Sequence, residues 1–446
     1  MSKPEIKPCS PAPRIWGLVC ALGLALTVSA CQEKPPAAHD TSEPSTLEIL
    51  LVGDPFAYVF EENWGYLAEL LDQPINLTLR RYGDTLETIR KNRRDLDSFY
   101  HIVSYDISWL GELAEKGALQ ALEIEQLEQR GLQLDDYYPA TLQANRFDGE
   151  LYGLPIQPHT ELLWYRRDLL EEAGFELPAT FSELLRQAAF FHKPEEGFYG
   201  ICWNGLRGDA LGQTVAHLYA AHGQPMMSAE GELAIDTPVG QRVARLLVEL
   251  KAVSPPDILT MAWDQRVERF AQGRSAFTYG WASRNYLVEK DPRSSVRGKV
   301  GYAAPPVYSG AENPQFPLGQ WSLGIPANLT KAESLRAEKA LAMLLSDDVL
   351  ARFMEEGIGG LNRQALPDAL PVQKDPTAAI SRELAEGGKL SPNVRPSHTQ
   401  WPQIVSMCGV VFHEMLKGKL PPEAALAQAQ RNGETILHSD ETLGNR

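Results

Sequence analysis

Apolar residues along the chain are spaced as expected for short strands that alternate with helices. Residues 47–52 (LEILLV) form a mostly apolar run of strand length, which suits a strand buried in a parallel sheet. Residues 75–79 alternate between apolar and polar side chains, and residues 101–105 form another short segment that is predicted to be a strand. Apolar residues three or four positions apart predict helices from about residue 61 to 71 and from Trp109 onward.

The same alternation continues in the rest of the chain. Residues 162–165 are predicted to be a strand, and residues 168–173 a helix that Gly174 ends. Further helices are predicted from capping-box spacing, from an apolar stripe or from a proline pair: at Thr180 with Glu183, at Thr330 with Glu333, along Ile404, Cys408, Val411 and Met415, and from Pro421 and Pro422.

Chain length then bears on the number of domains. The chain has 446 residues, of which 43% are hydrophobic and 22% charged, as in an ordinary globular protein. A folded part of about 400 residues exceeds what one hydrophobic core usually supports, so two domains are expected. Together with the alternation of strands and helices, this favours two α/β domains with mostly parallel sheets flanked by helices.

The N-terminus has the pattern of a secretory signal. Lys3, Lys7 and Arg14 outnumber the single Glu5, and an apolar run of 16 residues follows at 15–30. A helix that spans a bilayer needs about 20 apolar residues. A basic start, a short apolar middle and small residues at a cleavage site are typical of a signal peptide, here residues 1–30.

Cys31 directly follows Ser29 and Ala30, which resembles the lipobox of bacterial lipoproteins, where this cysteine carries the lipid. Residues 31–45 are then a flexible tether, since the segment after Cys31 is polar, rich in proline and without apolar periodicity. The alternative is an ordinary signal peptide whose cleavage site falls beside a cysteine. The lipoprotein interpretation predicts an extracytoplasmic protein, in the periplasm or at the cell surface, held to a membrane by lipid on Cys31.

Net charge excludes one class of partner. The chain has a formal net charge of −16, and removing residues 1–30, with three basic residues and one acidic residue, leaves −18. Nucleic-acid binding needs a basic surface, so no nucleic-acid partner is expected. Cys202 and Cys408 are the two cysteines that follow the tether. They either pair in an oxidising compartment or remain as two buried thiols, and they are too few for a multi-cysteine zinc site.

Motifs of catalysis are missing from the sequence. Residues 273–277 (GRSAF) do not complete a Gly-x-Ser-x-Gly elbow, and no Gly-Lys pair is followed by Ser or Thr as in a P-loop. His217 and His222 are five positions apart, which does not place them on one metal-binding face of a helix. We therefore expect no catalytic residue, no metal ligand and no cofactor.

Four segments, taken in chain order, resemble the extracellular solute-binding proteins of ABC-type sugar importers, the family typified by maltose-binding protein. They are residues 103–110 (VSYDISWL), residues 152–155 (YGLP) with 163–169 (LWYRRDL), residues 277–282 (FTYGWA) and residues 319–325 (GQWSLGI). The sequence departs from the family at Thr278-Tyr279-Gly280, where Asn-Gly-Pro is usual, and at His159-Thr160-Glu161, which brings an acid close to the hinge.

The resemblance implies a two-lobed Venus-flytrap fold with crossing hinge segments, in a monomer that closes on its ligand. Lobe 1 would comprise residues 46–157 and 322–360, and lobe 2 residues 158–321 and 361–446. The chain would cross near Gln157, near Trp321 and near residues 359–362. Closure would present a two-lobed surface to the transmembrane subunits of an ABC permease.

Sugar binding needs flat apolar faces together with carboxylate, amide and guanidinium groups. The resemblance implies that Asp106 accepts ligand hydrogen bonds, that Trp281 stacks on the ligand and that Arg363 reaches the cleft. Each has an alternative role: Asp106 as a helix cap, Trp281 as a core residue and Arg363 as a surface residue. Trp321 could serve the ligand or the hinge. The remaining candidates are Glu161, Trp203 and Asn204.

Three functions are compatible with these patterns. The first is capture of a sugar or oligosaccharide for an ABC importer. The second is binding of a non-sugar solute, such as a polyol or phosphorylated polyol, or service to a membrane sensor. The third is an extracellular carbohydrate-active enzyme on the same scaffold, which would need a pair of carboxylates at a fixed separation.

Overall fold

The computed structural model describes residues 46–228, 230–355, 364 and 375–439, and these belong to one compact unit. The predicted signal peptide, the tether with Cys31, and Arg363 lie outside the described residues. In the part of the chain that is described, no helix is both long and apolar enough to cross a membrane.

Eleven strands lie within the described residues, and their bounds are Leu47–Val52 (β1), Ile75–Arg80 (β2), Ile102–Asp106 (β3), Arg146–Phe147 (β4), Glu150–Leu151 (β5), Gly153–Arg166 (β6), Tyr199–Cys202 (β7), Ser275–Trp281 (β8), Val300–Ala303 (β9), Phe316–Gly324 (β10) and Leu390–Ser391 (β11).

The helices in the same ranges are Pro55–Glu62 (α1), Trp64–Leu71 (α2), Tyr82–Asn92 (α3), Leu110–Glu115 (α4), Ile124–Gln129 (α5), Pro139–Gln143 (α6), Arg167–Ala173 (α7), Phe181–Phe191 (α8), Asp209–Ala221 (α9), Pro238–Ala252 (α10), Trp263–Ala271 (α11), Tyr286–Glu289 (α12), Lys331–Leu344 (α13), Asp347–Glu355 (α14), Ala378–Glu386 (α15), Trp401–Leu416 (α16) and Pro422–Ser439 (α17).

Nine of the strands form one continuous sheet in the order β2-β1-β3-β10-β6-β8-β7, with β11 beside β10 and β9 beside β6. The sheet is mixed rather than mostly parallel. Parallel pairing joins β1 to β2 and β3, β7 to β8, and β10 to β11. The pairs β3/β10, β6/β10, β6/β8 and β6/β9 are antiparallel, because β6 and β10 are long strands that run in opposite directions through the middle of the sheet.

β6 is 14 residues long, whereas the sequence pattern predicted a strand only over residues 162–165. Pro155 and Pro158 cannot donate backbone hydrogen bonds, which argues against a central strand in that part of the sequence. In the structure Pro158 is paired with Gln320 and Pro155 with Ser322, and the register of the β6/β10 pairing shifts between these two pairs, at Trp321 and Ser322. A bulge of this kind lets a strand continue past a residue that does not fit the ladder.

The part of the sheet in which β6 and β10 run past each other is called the crossing. Two large apolar cores lie on either side of it. The first packs β1–β3 and α1–α4 against α13 and α14. The second packs β7 and β8 with α8–α10, α16 and α17. A smaller third core joins β6 to α11, β9 and β11. β6 contributes Leu154 to the first core and Leu163 to the second, so the crossing strands belong to both halves of the molecule.

Several local predictions are confirmed. β1 has the predicted bounds, both capping boxes are present at the starts of α8 and α13, and Gly174 ends α7 in a left-handed conformation with φ of 68°. The helix expected from residue 61 begins at Trp64, and a separate helix, α1, precedes it. Pro55 at the first turn of α1 was a start signal that the sequence analysis missed.

Cys202 and Cys408 are free and buried, so they remain as two buried thiols and do not form a disulfide. Burial raises the pKa of each thiol to about 12. A thiol with such a pKa stays protonated and chemically inert at neutral pH.

Candidate functional site

Strand register brings four of the predicted site residues together near the crossing of β6 and β10. Asp106, the last residue of β3, is paired with Trp321 on β10. Trp281, the last residue of β8, is paired with Glu161 on β6. Because β6 and β10 are themselves neighbours, the two pairs belong to one stretch of the sheet.

Asp106 is almost fully buried and holds three donors. Its Oδ1 accepts a hydrogen bond of 2.9 Å from the backbone N–H of Ser108, so it does cap the helical turn that follows β3. Its Oδ2 accepts from Arg395 Nη2 at 2.7 Å and from the Tyr82 hydroxyl at 3.3 Å. Burial alone would lower the pKa of the Arg395 guanidinium, but the negative charge of Asp106 outweighs burial and the pKa is raised. The carboxylate therefore fixes a buried arginine in addition to capping a turn.

Trp321 lies in an aromatic cluster on the side of the first core. Its ring centroid is 6.1 Å from Phe56, 5.9 Å from Tyr82 and 6.1 Å from Trp109. Its indole N–H donates to the Asp54 carboxylate. The ring centroid of Tyr82 also lies 5.5 Å from that of Trp263 on α11, so the cluster extends to the other half of the molecule.

Asp54 links the two halves as well. Its Oδ1 accepts from Arg284 Nη2 at 2.9 Å, and Arg284 also pairs with Asp264. A groove of about 380 Å³ opens beside this ion pair and is lined in part by Tyr58, Glu268 and Tyr286. The groove marks the outer edge of the interface between the segment after β1 and the segment after β8.

Trp281 is surrounded by cationic and aromatic side chains. His159 and His217 meet its ring edge-on, with centroids at 5.0 Å and 5.7 Å. The guanidinium of Arg395 lies over the ring, 5.6 Å from its centroid, as in a cation–π contact. Burial lowers the pKa of His159 to about 4, so this imidazole is neutral at physiological pH.

Glu161 lies at the centre of a buried triad with Arg266 and His217. Its Oε1 accepts from Arg266 Nη2 at 2.6 Å, and its Oε2 lies 2.6 Å from His217 Nδ1. Burial alone would raise the pKa of the carboxyl, but Arg266 and His217 outweigh burial and lower it to about 2. Glu161 is therefore ionised, and it fixes two further side chains next to Trp281.

Trp203 does not join this group of residues. Trp203 is fully buried in the second core, where its indole N–H donates to Ser254 Oγ at 2.9 Å. The structure thus places it in the core instead of in the cluster around Trp281, because the chain leaves β7 directly into the packing of α9 and α10. Asn204 is also buried, and its backbone oxygen accepts from Thr214 Oγ1 at 3.1 Å.

Sequence reasoning missed Arg266 and Arg395, and considered His217 only as a metal ligand. A signal for Arg266 was present: it shares one face of α11 with Val267 and Phe270, and a charged residue on an apolar helix face needs a buried partner. No pattern pointed to Arg395, whose partner Asp106 is 289 positions away. Among the described residues, no group of three or more His, Cys, Asp or Glu is arranged to hold a metal ion.

Comparisons with known proteins agree with the fold. A family model described as bacterial extracellular solute-binding protein matches residues 95–351. The mannitol-binding protein of Pseudomonas aeruginosa is 26% identical over 326 residues, which cover 67% of this chain and 72% of that protein. A probable ABC transporter-binding protein of Deinococcus radiodurans is 27% identical over 202 residues, which cover 43% of this chain and 47% of that protein.

Solved structures extend this likeness to almost the whole of the described chain. An ABC transporter solute-binding protein from Agrobacterium radiobacter, in complex with ribitol, has 25% identity and a TM-score of 0.81 and covers 88% of this chain and 98% of its own. Maltose-bound T. maritima MalE3, at 21% identity, has the same fold, with a TM-score of 0.75 over 88% of this chain and 99% of its own. The chain therefore belongs to the bacterial extracellular solute-binding proteins and has the two-lobed fold of ABC transporter binding proteins.

Proposed function

We propose that this chain is the solute-binding lipoprotein of an ABC importer and that its ligand is a small, neutral, polyhydroxylated molecule, a linear polyol or a monosaccharide. The observation that carries the proposal is the pairing of charges around Trp281 and Trp321. Each buried carboxylate there already has a guanidinium partner: Asp54 with Arg284, Asp106 with Arg395, and Glu161 with Arg266. A site without surplus buried charge favours a neutral ligand, because an ionised one would be left uncompensated.

The arrangement also favours a short ligand over an oligosaccharide. An extended sugar chain needs a row of free aromatic faces, whereas Trp321 packs against Phe56, Tyr82 and Trp109. Two similar proteins, the mannitol-binding protein of Pseudomonas aeruginosa and the ribitol complex from Agrobacterium radiobacter, support polyols as the first class to test. A phosphorylated polyol is disfavoured, since each of the three arginines is already neutralised by a carboxylate.

In the proposed mechanism the ligand lies over Trp281 and is held by the buried polar groups of both lobes. Ligand binding then favours the closed state through its higher affinity for that state. The lobes are residues 46–157 with 322–360, and residues 158–321 with 361–446. Support for this division comes from the two apolar cores, which meet at β6 and β10. The closed form would be the one that the permease subunits recognise.

The second part of the proposal is that the protein binds and delivers its ligand without changing it chemically. A glycosidase needs one carboxylic acid that is protonated near neutral pH, which means a raised pKa. Glu161 has the opposite property, because Arg266 and His217 lower the pKa of its carboxyl to about 2 against the effect of burial. We further propose that the protein is a monomer, that it acts outside the cytoplasm and that lipid on Cys31 holds it to a membrane.

The test is calorimetric titration and thermal unfolding of residues 32–446 with D-mannitol, ribitol, maltose and glycerol 3-phosphate. A ligand at a hundred times its dissociation constant should stabilise the fold by about 2.7 kcal/mol. Binding of mannitol or ribitol, with the polyol recovered unchanged, would support the proposal. Tighter binding of maltose or of the phosphate ester than of either polyol would overturn the proposed ligand class, and consumption of the ligand would overturn the claim of transport without chemistry.

A further inference from the structure

A small internal cavity lies beside Glu161, on the side of the second core. It has a volume of about 30 Å³. Its polar lining includes Glu161 and Thr214 and three side chains from different elements: Arg266 on α11, His217 on α9 and Tyr279 on β8. Phe181, Leu218 and Phe316 form part of its apolar wall. A space that admits one water needs at least about 10–15 Å³, so this cavity has room for a group of about two non-hydrogen atoms.

Each of the three polar residues contributes a buried atom that lacks a hydrogen-bond partner within the described chain. These atoms are Arg266 Nε, His217 Nε2 and the Tyr279 hydroxyl. Arg266 and His217 use their other nitrogens to hold Glu161. A buried polar group without a hydrogen-bond partner destabilises the protein, because it has lost its hydrogen bonds to water. Three of them around one cavity indicate that a polar group belongs there.

The numbers of hydrogen-bond donors and acceptors on the three atoms determine which polar group fits the cavity. In the tautomer that donates Nδ1–H to the Glu161 carboxylate, Nε2 of the His217 imidazole is an acceptor. Arg266 Nε–H is a donor only, and the Tyr279 hydroxyl can donate or accept. One hydroxyl group therefore satisfies all three atoms. It donates to His217 Nε2 and accepts from Arg266 Nε–H and from the Tyr279 hydroxyl. A carboxylate has no proton for His217, and an ammonium has no lone pair for Arg266.

We propose that the cavity receives a terminal hydroxymethyl group of the ligand, with the hydroxyl held by Arg266, His217 and Tyr279 and the methylene against the apolar wall. This inference rests on the proposed function and narrows the ligand to a polyhydroxylated molecule with a primary alcohol at one end. The position supports it, because the His217 ring lies 5.7 Å from Trp281, over which the carbon chain of the ligand would run.

The first test uses the unaltered protein, residues 32–446, titrated with D-mannitol and ribitol and with their analogues lacking both terminal hydroxyls, 1,6-dideoxymannitol and 1,5-dideoxyribitol. Removal of both ends prevents a reversed molecule from offering its intact end. We expect the dideoxy analogue of whichever polyol binds to bind at least about tenfold more weakly, because the three polar atoms lose their partner. Equal affinity would overturn the hydroxymethyl site and leave the polyol function standing. If neither polyol binds, the linear polyols fail as the ligand, and the hydroxymethyl site proposed for them fails as well.

The second test is Tyr279→Phe, which removes one hydroxyl and keeps the ring. We expect it to weaken binding of the polyol by about five- to thirtyfold and binding of the dideoxy analogue by less than about twofold. Tyr302→Phe is the matched control, because the Tyr302 hydroxyl is held by Glu289 at 2.9 Å, outside the cavity, and its loss should change neither affinity. If Tyr279→Phe weakens both ligands equally, Tyr279 acts on the fold of the site and the proposed contact is wrong.

Discussion

The Arg266 guanidinium and the Glu161 carboxylate form a 2.6 Å ion pair in the interior, although 105 positions separate the two residues along the chain. The pair joins α11 to β6 and, through the second carboxylate oxygen, holds His217 of α9. Ionic contacts of this kind contribute little net stability when both partners are present. Breaking one by removing a single partner is costly, because a buried charge is left alone.

Replacing Arg266 by Met should therefore destabilise the protein by about 3–5 kcal/mol, since the Glu161 carboxylate would remain buried and uncompensated. Urea unfolding at pH 7 measures the loss. The matched control is Arg269→Met on the same helix, which breaks a partly exposed pair with Asp257 and should cost less than about 1 kcal/mol. Similar losses for the two variants would contradict the buried-pair interpretation.

His159 should make stability dependent on pH in the weakly acidic range. Burial lowers the pKa of its imidazole to about 4, whereas the unfolded chain has a value near 6.5. Between these values the unfolded state binds the proton and the folded state does not, so stability falls as the pH is lowered from about 6.5 to about 4. The full contribution is about 3 kcal/mol.

Urea midpoints at pH 7, 5.5 and 4 measure this effect. His159→Gln removes this titrating group and should make the dependence over that range less steep, while His101, His222 and His398, whose pKa values burial also lowers, keep part of it. His438→Gln is the control, because His438 is exposed near the end of α17 and its loss should leave the slope unchanged. An unaltered slope in His159→Gln would assign the acid sensitivity to other groups.

Trp281 and Trp203 should differ sharply in substitution experiments, although both were candidates from sequence. Trp281→Leu should weaken polyol binding by at least about tenfold and remove most of the ligand-dependent change in tryptophan fluorescence, because the ring is the proposed platform. Trp203→Phe should leave affinity within about twofold and lower stability by about 1–3 kcal/mol, because Trp203 packs in the second core. A reversed result would exchange the two roles.

Cys202 and Cys408 should be inert in the folded protein. Both thiols are buried and their pKa values are raised to about 12, so neither offers a thiolate at pH 8. Ellman's reagent should react with less than about a tenth of the thiols of residues 32–446 in buffer and with both in denaturant. Stability should be the same with and without reductant. A drop in the unfolding midpoint on reduction would reveal a disulfide.

Local features were predictable from the sequence where a few neighbouring residues determine them. β1 follows from one apolar run, and the starts of α8 and α13 follow from capping boxes three residues apart. The full length of β6 was not predictable, because Pro155 argues for an end to the strand and only the pairing with β10 reveals the bulge that accommodates it. Local rules cannot show such a feature.

At the candidate site, residue types were easier to predict than their partners. Asp106 and Trp281 are near one another as the resemblance implied, since Arg395 contacts both. Arg395 was not predictable as the partner of Asp106, because the two residues are 289 positions apart and a single sequence does not indicate that they are in contact. Glu161 was predicted as an acid near the hinge that binds the ligand, and this role stays a prediction. In the structure its carboxylate holds His217 of α9 and Arg266 of α11.

β6 carries residues of both large cores, β10 carries residues of the first and third cores, and both strands carry residues of the candidate site within one sheet. The two halves of the molecule therefore share backbone hydrogen bonds, and a change of twist at the bulge would alter how easily they separate as well as how the site is aligned. Substitutions near Pro155 or Pro158 would then shift affinity and the rate of ligand release together without touching the ligand. Natural selection could thus tune uptake of a scarce or an abundant solute from these two strands while the contacts that determine specificity stay the same.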